Sequence, residues 1–173
     1  MLDKFNAPNI VLDPVMVSTS GHKLIEDEAI ESLTKILIPR ARIINPNIPE
    51  AEILLGEKIT SQEELPAFAR KLSKLGGANK VSVFLKAGHL TDDNLQDVFY
   101  NAEDDEIYLL NSKRIYTPNT HGTGCTLSSA IAAGLAKGYS LHNAAIEAKH
   151  YISNAIEEGS TYSLGHGHGP VKH

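Results

Sequence analysis

The amino-acid sequence predicts an α/β fold in which helices cover both faces of a mostly parallel sheet. Apolar runs of strand length alternate with segments of helical period, which is the pattern of right-handed strand–helix–strand crossovers. The 173 residues are 42% hydrophobic and 21% charged, as expected for a globular chain with its own core. No linker, internal repeat or low-complexity segment divides the sequence, so we expect a single domain over residues 1–173.

The strands are predicted from short apolar runs. Three buried strands are expected at residues 9–13, 42–45 and 81–85. A hairpin is expected next, with strands at 97–100 and 106–110 that residues 113–116 would extend. The acidic stretch 103–106 would form its solvated turn.

The helices are predicted from apolar positions of helical period. They are expected at residues 27–37, 49–55, 61–75, 124–136 and 141–157. Pro49 stands at the predicted first position of the second helix. The pattern Ser61-x-x-Glu64 is a capping box that begins the third helix, which Gly76 and Gly77 end.

Composition excludes several classes of protein. With 16 Lys and Arg against 21 Asp and Glu, the formal net charge is -5, which argues against a nucleic-acid-binding surface. No apolar run is long enough to span a bilayer, and residues 1–4 lack the apolar core of a signal peptide. We therefore expect a cytoplasmic protein with no nucleic-acid or membrane partner. A single cysteine stays reduced in that compartment.

Polar side chains stand where the predicted strands end. Asp13 ends the first strand, residues 45–47 (Asn-Pro-Asn) follow the second, and residues 86–89 (Lys-Ala-Gly-His) follow the third. In parallel sheets ligands bind outside the carboxyl ends of the strands. This edge is therefore the candidate site.

The cysteine lies in the stretch T-H-G-T-G-C-T-L-S-S-A, residues 120–130. A Gly-x-Gly turn that runs into a helix leaves the first N–H groups free, and the helix dipole adds partial positive charge there. The amides of Gly122, Thr123 and Gly124 therefore predict an anion site. The same field favours a thiolate at Cys125, which could then act as a base. The alternative is a small packing residue, the commoner role of a free cysteine.

Five sequence blocks occur in order along the chain: D-P-V-M-V at 13–17 with S-G at 20–21, P-N-x-P-E-A at 46–51, K-x-G-H at 86–89, N-T-H-G-T-G-C-T-L-S-S-A at 119–130 and G-H-G-P-V at 167–171. Together they resemble the hydroxymethylpyrimidine/phosphomethylpyrimidine kinase family of thiamine biosynthesis, and they are far more specific than a lone Gly-x-Gly. The resemblance implies a ribokinase-like three-layer α/β/α fold with a small β-hairpin. It also implies ATP-dependent phosphorylation of the pyrimidine's hydroxymethyl group and then of the monophosphate.

The resemblance implies the catalytic residues as well. The family's cysteine base falls on Cys125, and its anion hole falls on Gly122, Thr123 and Gly124. The partners implied are ATP and a small pyrimidine substrate.

ATP and Mg²⁺ are the cofactors that the resemblance implies. The family's phosphate-contacting lysine falls on Lys86, and Asp13 lies where the family keeps an acidic residue near the metal and phosphates. Its Asn-x-x-Glu magnesium motif falls on Asn47 and Glu50, which would act largely through water. Ordinary structural roles compete: helix capping for Asn47 and Glu50, a solvated strand end for Lys86, and a turn for Asp13.

The histidines of the C-terminal tail also allow two interpretations. His166, His168 and His173 could form a metal-binding tail or be an expression remnant. We favour a packing or backbone-shaping tail, because G-H-G-P-V resembles the family's natural ending.

Two departures from the family are expected to matter. Ala87 replaces the glycine usual after the lysine, which narrows backbone freedom but removes no chemical group. The chain also begins well inside the family's sequence, so an N-terminally truncated sheet is expected, without most of the pyrimidine pocket. An open sheet edge and uncovered apolar surface would favour a homo-oligomer.

Two other functions compete with the pyrimidine kinase. Pyridoxal kinases of the same superfamily share the cysteine and the Asn-x-x-Glu pattern, but Thr123 and Leu127 favour the pyrimidine branch. The other alternative is a truncated nucleotide-binding or self-associating module without turnover.

Overall fold

A computed structural model describes residues 2–18, 23–164 and 166–173 of the chain. Five strands form one mixed sheet in the order β1 to β5. They are β1 (Val11–Leu12), β2 (Ile43–Ile44), β3 (Ser82–Leu85), β4 (Asn94–Asn101) and β5 (Glu106–Lys113). Strands β1, β2 and β3 are parallel, and the predicted hairpin, β4 and β5, extends the same sheet in antiparallel fashion.

Five α-helices accompany the sheet in the described part of the chain. They are α1 (Asp27–Ser32), α2 (Ile48–Leu55), α3 (Leu65–Ser73), α4 (Thr123–Ala136) and α5 (Leu141–Gly159). None of the helices in the described part of the chain is long and apolar enough to cross a membrane.

The first predicted helix is helical throughout but not regular. After α1 the chain continues as a π-helical turn over Leu33–Leu37 and a 3₁₀ turn over Ile38–Arg40. Pro39 has no N–H to donate, so the regular hydrogen-bond ladder cannot continue to that point.

Side chains of the sheet alternate between two apolar layers. Ile44, Val83 and Leu85 pack on the side of α2 and α3, whereas Ile43 and Phe84 pack on the side of α4 and α5. The predicted three-layer α/β/α arrangement is therefore confirmed.

Helix α2 begins one residue earlier than predicted. Asn47 is its N-cap, and Pro49 occupies the second helical position, not the first. The third predicted helix begins with a 3₁₀ turn over Gln62–Glu64 before α3, although the Glu64 carboxylate accepts the Ser61 N–H at 3.2 Å as the capping-box pattern predicted.

The C-terminal tail packs beside the start of α4. The His121 N–H donates to the Gly169 carbonyl at 3.0 Å, and the Val171 N–H donates to the His121 carbonyl at 3.2 Å. A Cβ on Gly169 would lie 2.0 Å from Asn119 Oδ1, so only glycine fits at this position. These contacts support the predicted packing tail. Of the matched blocks, Ser20 and Gly21 lie outside the described residues.

Candidate active site

The carboxyl ends of β1, β2 and β3 bring the predicted polar residues to one edge of the sheet. Leu12 pairs with Ile44, so Asp13 follows directly beside Asn45. The Lys86 N–H donates to the Pro46 carbonyl at 3.0 Å, which fixes Lys86 beside the second strand end.

Asp13 and Lys86 form a largely buried ion pair at this edge. Lys86 Nζ lies 3.5 Å from Asp13 Oδ1, and the two side chains are only 16% and 13% exposed. The alternative of a solvated strand end for Lys86 is therefore wrong. The Asp13 carbonyl also accepts the Val15 N–H at 2.9 Å, so Asp13 shapes a turn as well as pairing with Lys86.

The start of α4 lies against this ion pair. A Cβ built on Gly124 would lie 3.1 Å from Asp13 Oδ2 and 3.4 Å from Lys86 Nζ. The missing side chain of Gly124 thus leaves a small cradle between a helix N-terminus and an ammonium group. The helix N-terminus and the ammonium group attract anions, whereas the Asp13 carboxylate, which is the nearest group, repels them unless a bound cation offsets its charge.

Gly122 and Thr123 shape the turn that leads into α4. Gly122 is the N-cap residue and has φ 88°, a left-handed conformation that favours glycine. The Thr123 hydroxyl donates to the Thr120 carbonyl at 2.7 Å, and the Thr123 N–H donates to the same carbonyl at 3.3 Å. Helical geometry leaves the N–H groups of Gly124 and Cys125 without an acceptor inside the helix. These two amides are therefore better placed than that of Thr123 to donate to an anion.

Cys125 lies in the first turn of α4 and is exposed. It lines a groove of about 660 Å³ beside α4 and α5, together with Ser129, Tyr139 and Tyr151. The structure therefore contradicts the alternative that Cys125 is a buried packing residue. The exposed position leaves its Sγ atom accessible to a substrate hydroxyl.

Asn47 and Glu50 form a capping box at the start of α2. The Glu50 N–H donates to Asn47 Oδ1 at 2.9 Å, and the Asn47 N–H donates to Glu50 Oε2 at 2.8 Å. The capping alternative is thus confirmed for both residues. A carboxylate has about four acceptor sites, so Glu50 retains the capacity to accept from metal-bound water.

Glu50 is 2% exposed, and its environment favours the protonated form. Burial raises the pKa of the Glu50 carboxyl, and the hydrogen bond from the Asn47 backbone and the charge of Lys86 oppose this shift only in part. A nearby cation would recover the energy lost by ionising a buried carboxylate.

As the pH falls, we expect magnesium binding to weaken at a higher pH than it would if Glu50 had the ordinary pKa of a glutamate. Because the folded pKa of Glu50 is raised, the metal-free protein should lose stability as pH rises from the ordinary glutamate range through the raised value. Mg²⁺ favours the ionised form, so its affinity should rise over the same window. Calorimetric titration of the protein with ATP and Mg²⁺, repeated at several pH values across this window, measures the effect. In Glu50→Gln the contribution of Glu50 to both pH dependences should be lost, so both curves should differ from those of the wild type in this window. Curves that match the wild type would contradict the assignment of Glu50.

Asn45 is a candidate functional residue to which the sequence assigned no role. It is fully buried, and neither its Oδ1 nor its Nδ2 atom has a hydrogen-bond partner among the described residues. An unpartnered buried amide is costly, and Asn45 stands in register beside Asp13. Its place at a strand end was visible in the sequence, but its complete burial was not.

The oxygen atoms at this edge could bind a magnesium ion that keeps most of its water ligands, but they do not form a site made only of protein ligands. No group of three or more His, Cys, Asp or Glu side chains within residues 2–18, 23–164 and 166–173 could hold a metal ion. Asp13, Glu50 and the unpartnered amide of Asn45 offer oxygen atoms, which Mg²⁺ prefers, and Mg²⁺ typically keeps several waters beside one or two carboxylates and the substrate phosphates. The tail histidines form no such cluster either.

A model of the family described as phosphomethylpyrimidine kinase matches residues 1–172. The chain belongs to this family. It is 42% identical over 172 residues to the thiamine biosynthesis bifunctional protein ThiED of Geobacter sulfurreducens, covering 99% of this chain and 34% of that protein. It is 37% identical to the hydroxymethylpyrimidine/phosphomethylpyrimidine kinase of Bacillus subtilis, covering 99% of this chain and 61% of the relative. The chain thus spans less than two thirds of the length of these family members.

Solved structures of the superfamily share the fold. The ADP complex of Bacillus subtilis pyridoxal kinase superposes with a TM-score of 0.85 at 35% identity, covering 99% of this chain and 62% of that one. The predicted ribokinase-like architecture is therefore confirmed.

Proposed function

We propose that this site transfers the terminal phosphoryl group of ATP to hydroxymethylpyrimidine and then to its monophosphate. The observation that carries the proposal is the cradle at Gly124, which lies between the N-terminus of α4 and the Asp13–Lys86 pair. A phosphate in this cradle would meet amide donors on one side and the Lys86 ammonium group on the other, and a cation held by Asp13 would offset the repulsion from its carboxylate. Family relatives named as kinases for these substrates support this choice.

Each group at the site has a part in phosphoryl transfer. Lys86 would contact the phosphates, and the first amides of α4 would stabilise negative charge on the transferring group. Cys125 would act as the general base and take the proton of the substrate hydroxyl as that oxygen forms its bond to phosphorus. The bond between phosphorus and the bridging oxygen breaks, and ADP leaves.

Asp13 and Glu50 would hold magnesium near the phosphates, with Asn47 fixing Glu50 through the capping box. When bound, the metal would neutralise phosphate charge. The Asn45 amide is placed to orient a water beside Asp13, which would satisfy its unpartnered atoms.

Several wider assignments accompany this proposal. ATP and a small pyrimidine would be the ligands, one domain would carry the site, and the cytoplasm would keep the Cys125 thiol reduced. Association of the chain with copies of itself stays a prediction from the sequence.

A pyridoxal kinase is the second candidate function. The TM-score of 0.85 to a pyridoxal kinase bound to ADP is the observation that supports this candidate. Competition between the two alcohols in one assay would separate the candidates.

The test is ATP consumption by the purified chain with hydroxymethylpyrimidine, its monophosphate or pyridoxal as acceptor. We expect turnover with the first two. Lys86→Ala should weaken ATP·Mg binding by about 10- to 100-fold, since it removes a charge-assisted contact. Calorimetry would measure this loss.

Lys35→Ala is a matched control, because the Lys35 side chain is 71% exposed and, among the described residues, pairs with Glu31 in the neighbouring turn. Wild-type affinity in Lys86→Ala would remove Lys86 from the site. Turnover with pyridoxal alone would replace the proposed substrate, and absence of turnover with every acceptor would favour a binding module.

A further inference from the structure

A buried ion pair links β4 to α5 behind the candidate site. Lys149 Nζ lies 2.8 Å from Asp97 Oδ2, and the two side chains are 12% and 11% exposed. The same ammonium group donates to Ser112 Oγ at 3.0 Å. The second carboxylate oxygen, Asp97 Oδ1, accepts the backbone N–H of Ala87 at 2.7 Å.

Stability alone is a weak reason for this arrangement. Burying two charges has a large desolvation cost, and apolar residues of similar volume are often as stabilising or better. The surrounding layer is apolar, with Phe84 and Phe99 fully buried on the same face. We therefore look for the function of the pair in the hydrogen bond that Asp97 Oδ1 accepts from the Ala87 N–H.

Asp97 Oδ1 binds the backbone at Ala87, two residues after β3 ends at Leu85. The ladder between β3 and β4 ends at the pair Leu85 and Val98. Beyond it the Lys86 N–H turns to the Pro46 carbonyl, and the Ala87 N–H turns to the Asp97 side chain. Lys86 is thus fixed by one hydrogen bond at its own amide and by another at the next amide.

We infer that Asp97 and Lys149 are positioning residues that fix the Lys86 backbone for its contact with nucleotide phosphate. The inference rests on the proposed function, because it assumes that Lys86 meets ATP. Lys149 compensates the buried charge of Asp97 and occupies Oδ2, which leaves Oδ1 for the Ala87 amide. This bond holds the backbone directly after Lys86, whose ammonium group lies 3.5 Å from Asp13 Oδ1.

The pair also joins the two halves of the cradle. Lys149 belongs to α5, and α5 packs closely on α4, where a Cβ on Gly134 would lie only 3.0 Å from the Cβ of Ala144. Helix α5 thus contacts α4, whose first turn borders the cradle, and it also holds Asp97 through Lys149.

Two double variants isolate the hydrogen bond to Ala87. Asp97→Leu with Lys149→Met removes both charges and the acceptor, whereas Asp97→Asn with Lys149→Met removes both charges but retains an acceptor oxygen. The Leu/Met pair should raise the Kd for ATP·Mg, measured by calorimetry, by about 10-fold. The Asn/Met pair should stay close to wild type.

Coupling to Lys86 separates positioning from a general loosening of the fold. In a Lys86→Ala background the Leu/Met pair should cause no further loss of affinity, because its effect acts through Lys86. The same loss in both backgrounds, or wild-type affinity of the Leu/Met pair, would overturn the inference.

Should the Leu/Met pair fail to fold, Asp97→Glu keeps the charge but displaces the oxygen from Ala87. An unchanged Kd in that variant would equally overturn the inference. The proposed function has a separate readout, since it fails if the wild-type chain binds ATP·Mg but phosphorylates no pyrimidine. A wild-type chain that does not bind ATP·Mg would overturn both.

Discussion

Replacing Cys125 with alanine should lower turnover by about 10²- to 10⁴-fold, the usual contribution of a positioned general base. ATP·Mg affinity should change little, because the amides of Gly124 and its neighbours do not depend on this side chain. The thermal midpoint should also change little, because the thiol is exposed and its removal leaves no buried cavity. Steady-state kinetics, calorimetry and thermal unfolding would measure the three quantities.

Two variants control this experiment. Cys125→Ser fits the same space but supplies a hydroxyl, which is too weak an acid to serve as an anionic base near neutral pH, so it should be nearly as slow as Cys125→Ala. Ser129→Ala alters the same groove about one turn further along α4 and should retain turnover. Wild-type turnover in both cysteine variants, with a lower melting temperature, would return Cys125 to a packing role.

The order of strands and helices followed from the sequence because it depends on local patterns. The apolar run at residues 81–85 predicts a strand from neighbouring residues alone. Gly77 and Gly138, which have φ 70° and 85°, likewise signal the ends of helices locally. The strand ends were also predictable, because one rule places polar residues such as Asp13 and Lys86 at a common edge. The pairing of those two side chains at 3.5 Å is consistent with that rule.

Other features depend on contacts between distant residues. Asp97 and Lys149 are 52 positions apart, and each resembles an ordinary surface residue until β4 and α5 pack together. Asn45 likewise gives no sign that both atoms of its amide are buried without a partner, because burial depends on what covers the strand end. The pattern at Leu33–Leu37 favours a regular helix, and the π-helical turn that the structure has there was not predicted.

Replacing Gly124 with alanine should reduce turnover by about 100-fold or more, since a displacement of about 1 Å at the reacting group can have that effect. The added methyl group would lie 3.1 Å from Asp13 Oδ2 and 3.4 Å from Lys86 Nζ, so it would fill the cradle proposed for the phosphoryl group. Stability should change little, because the better helix propensity of alanine is offset by the tight 3.1 Å contact of its methyl group with Asp13 Oδ2. A large loss of turnover with little change in stability would distinguish a site residue from a structural one.

Nucleotide affinity gives the control for this prediction. If the cradle receives the terminal phosphate, Gly124→Ala should weaken ATP·Mg binding more than ADP·Mg binding, because ADP lacks that group. Equal losses would place the clash elsewhere along the nucleotide. Wild-type turnover with an unchanged melting temperature would show that the phosphoryl group does not pass between α4 and Lys86. A lowered melting temperature with full activity of the folded fraction would show that Gly124 serves only the packing of α4 against the Asp13–Lys86 pair.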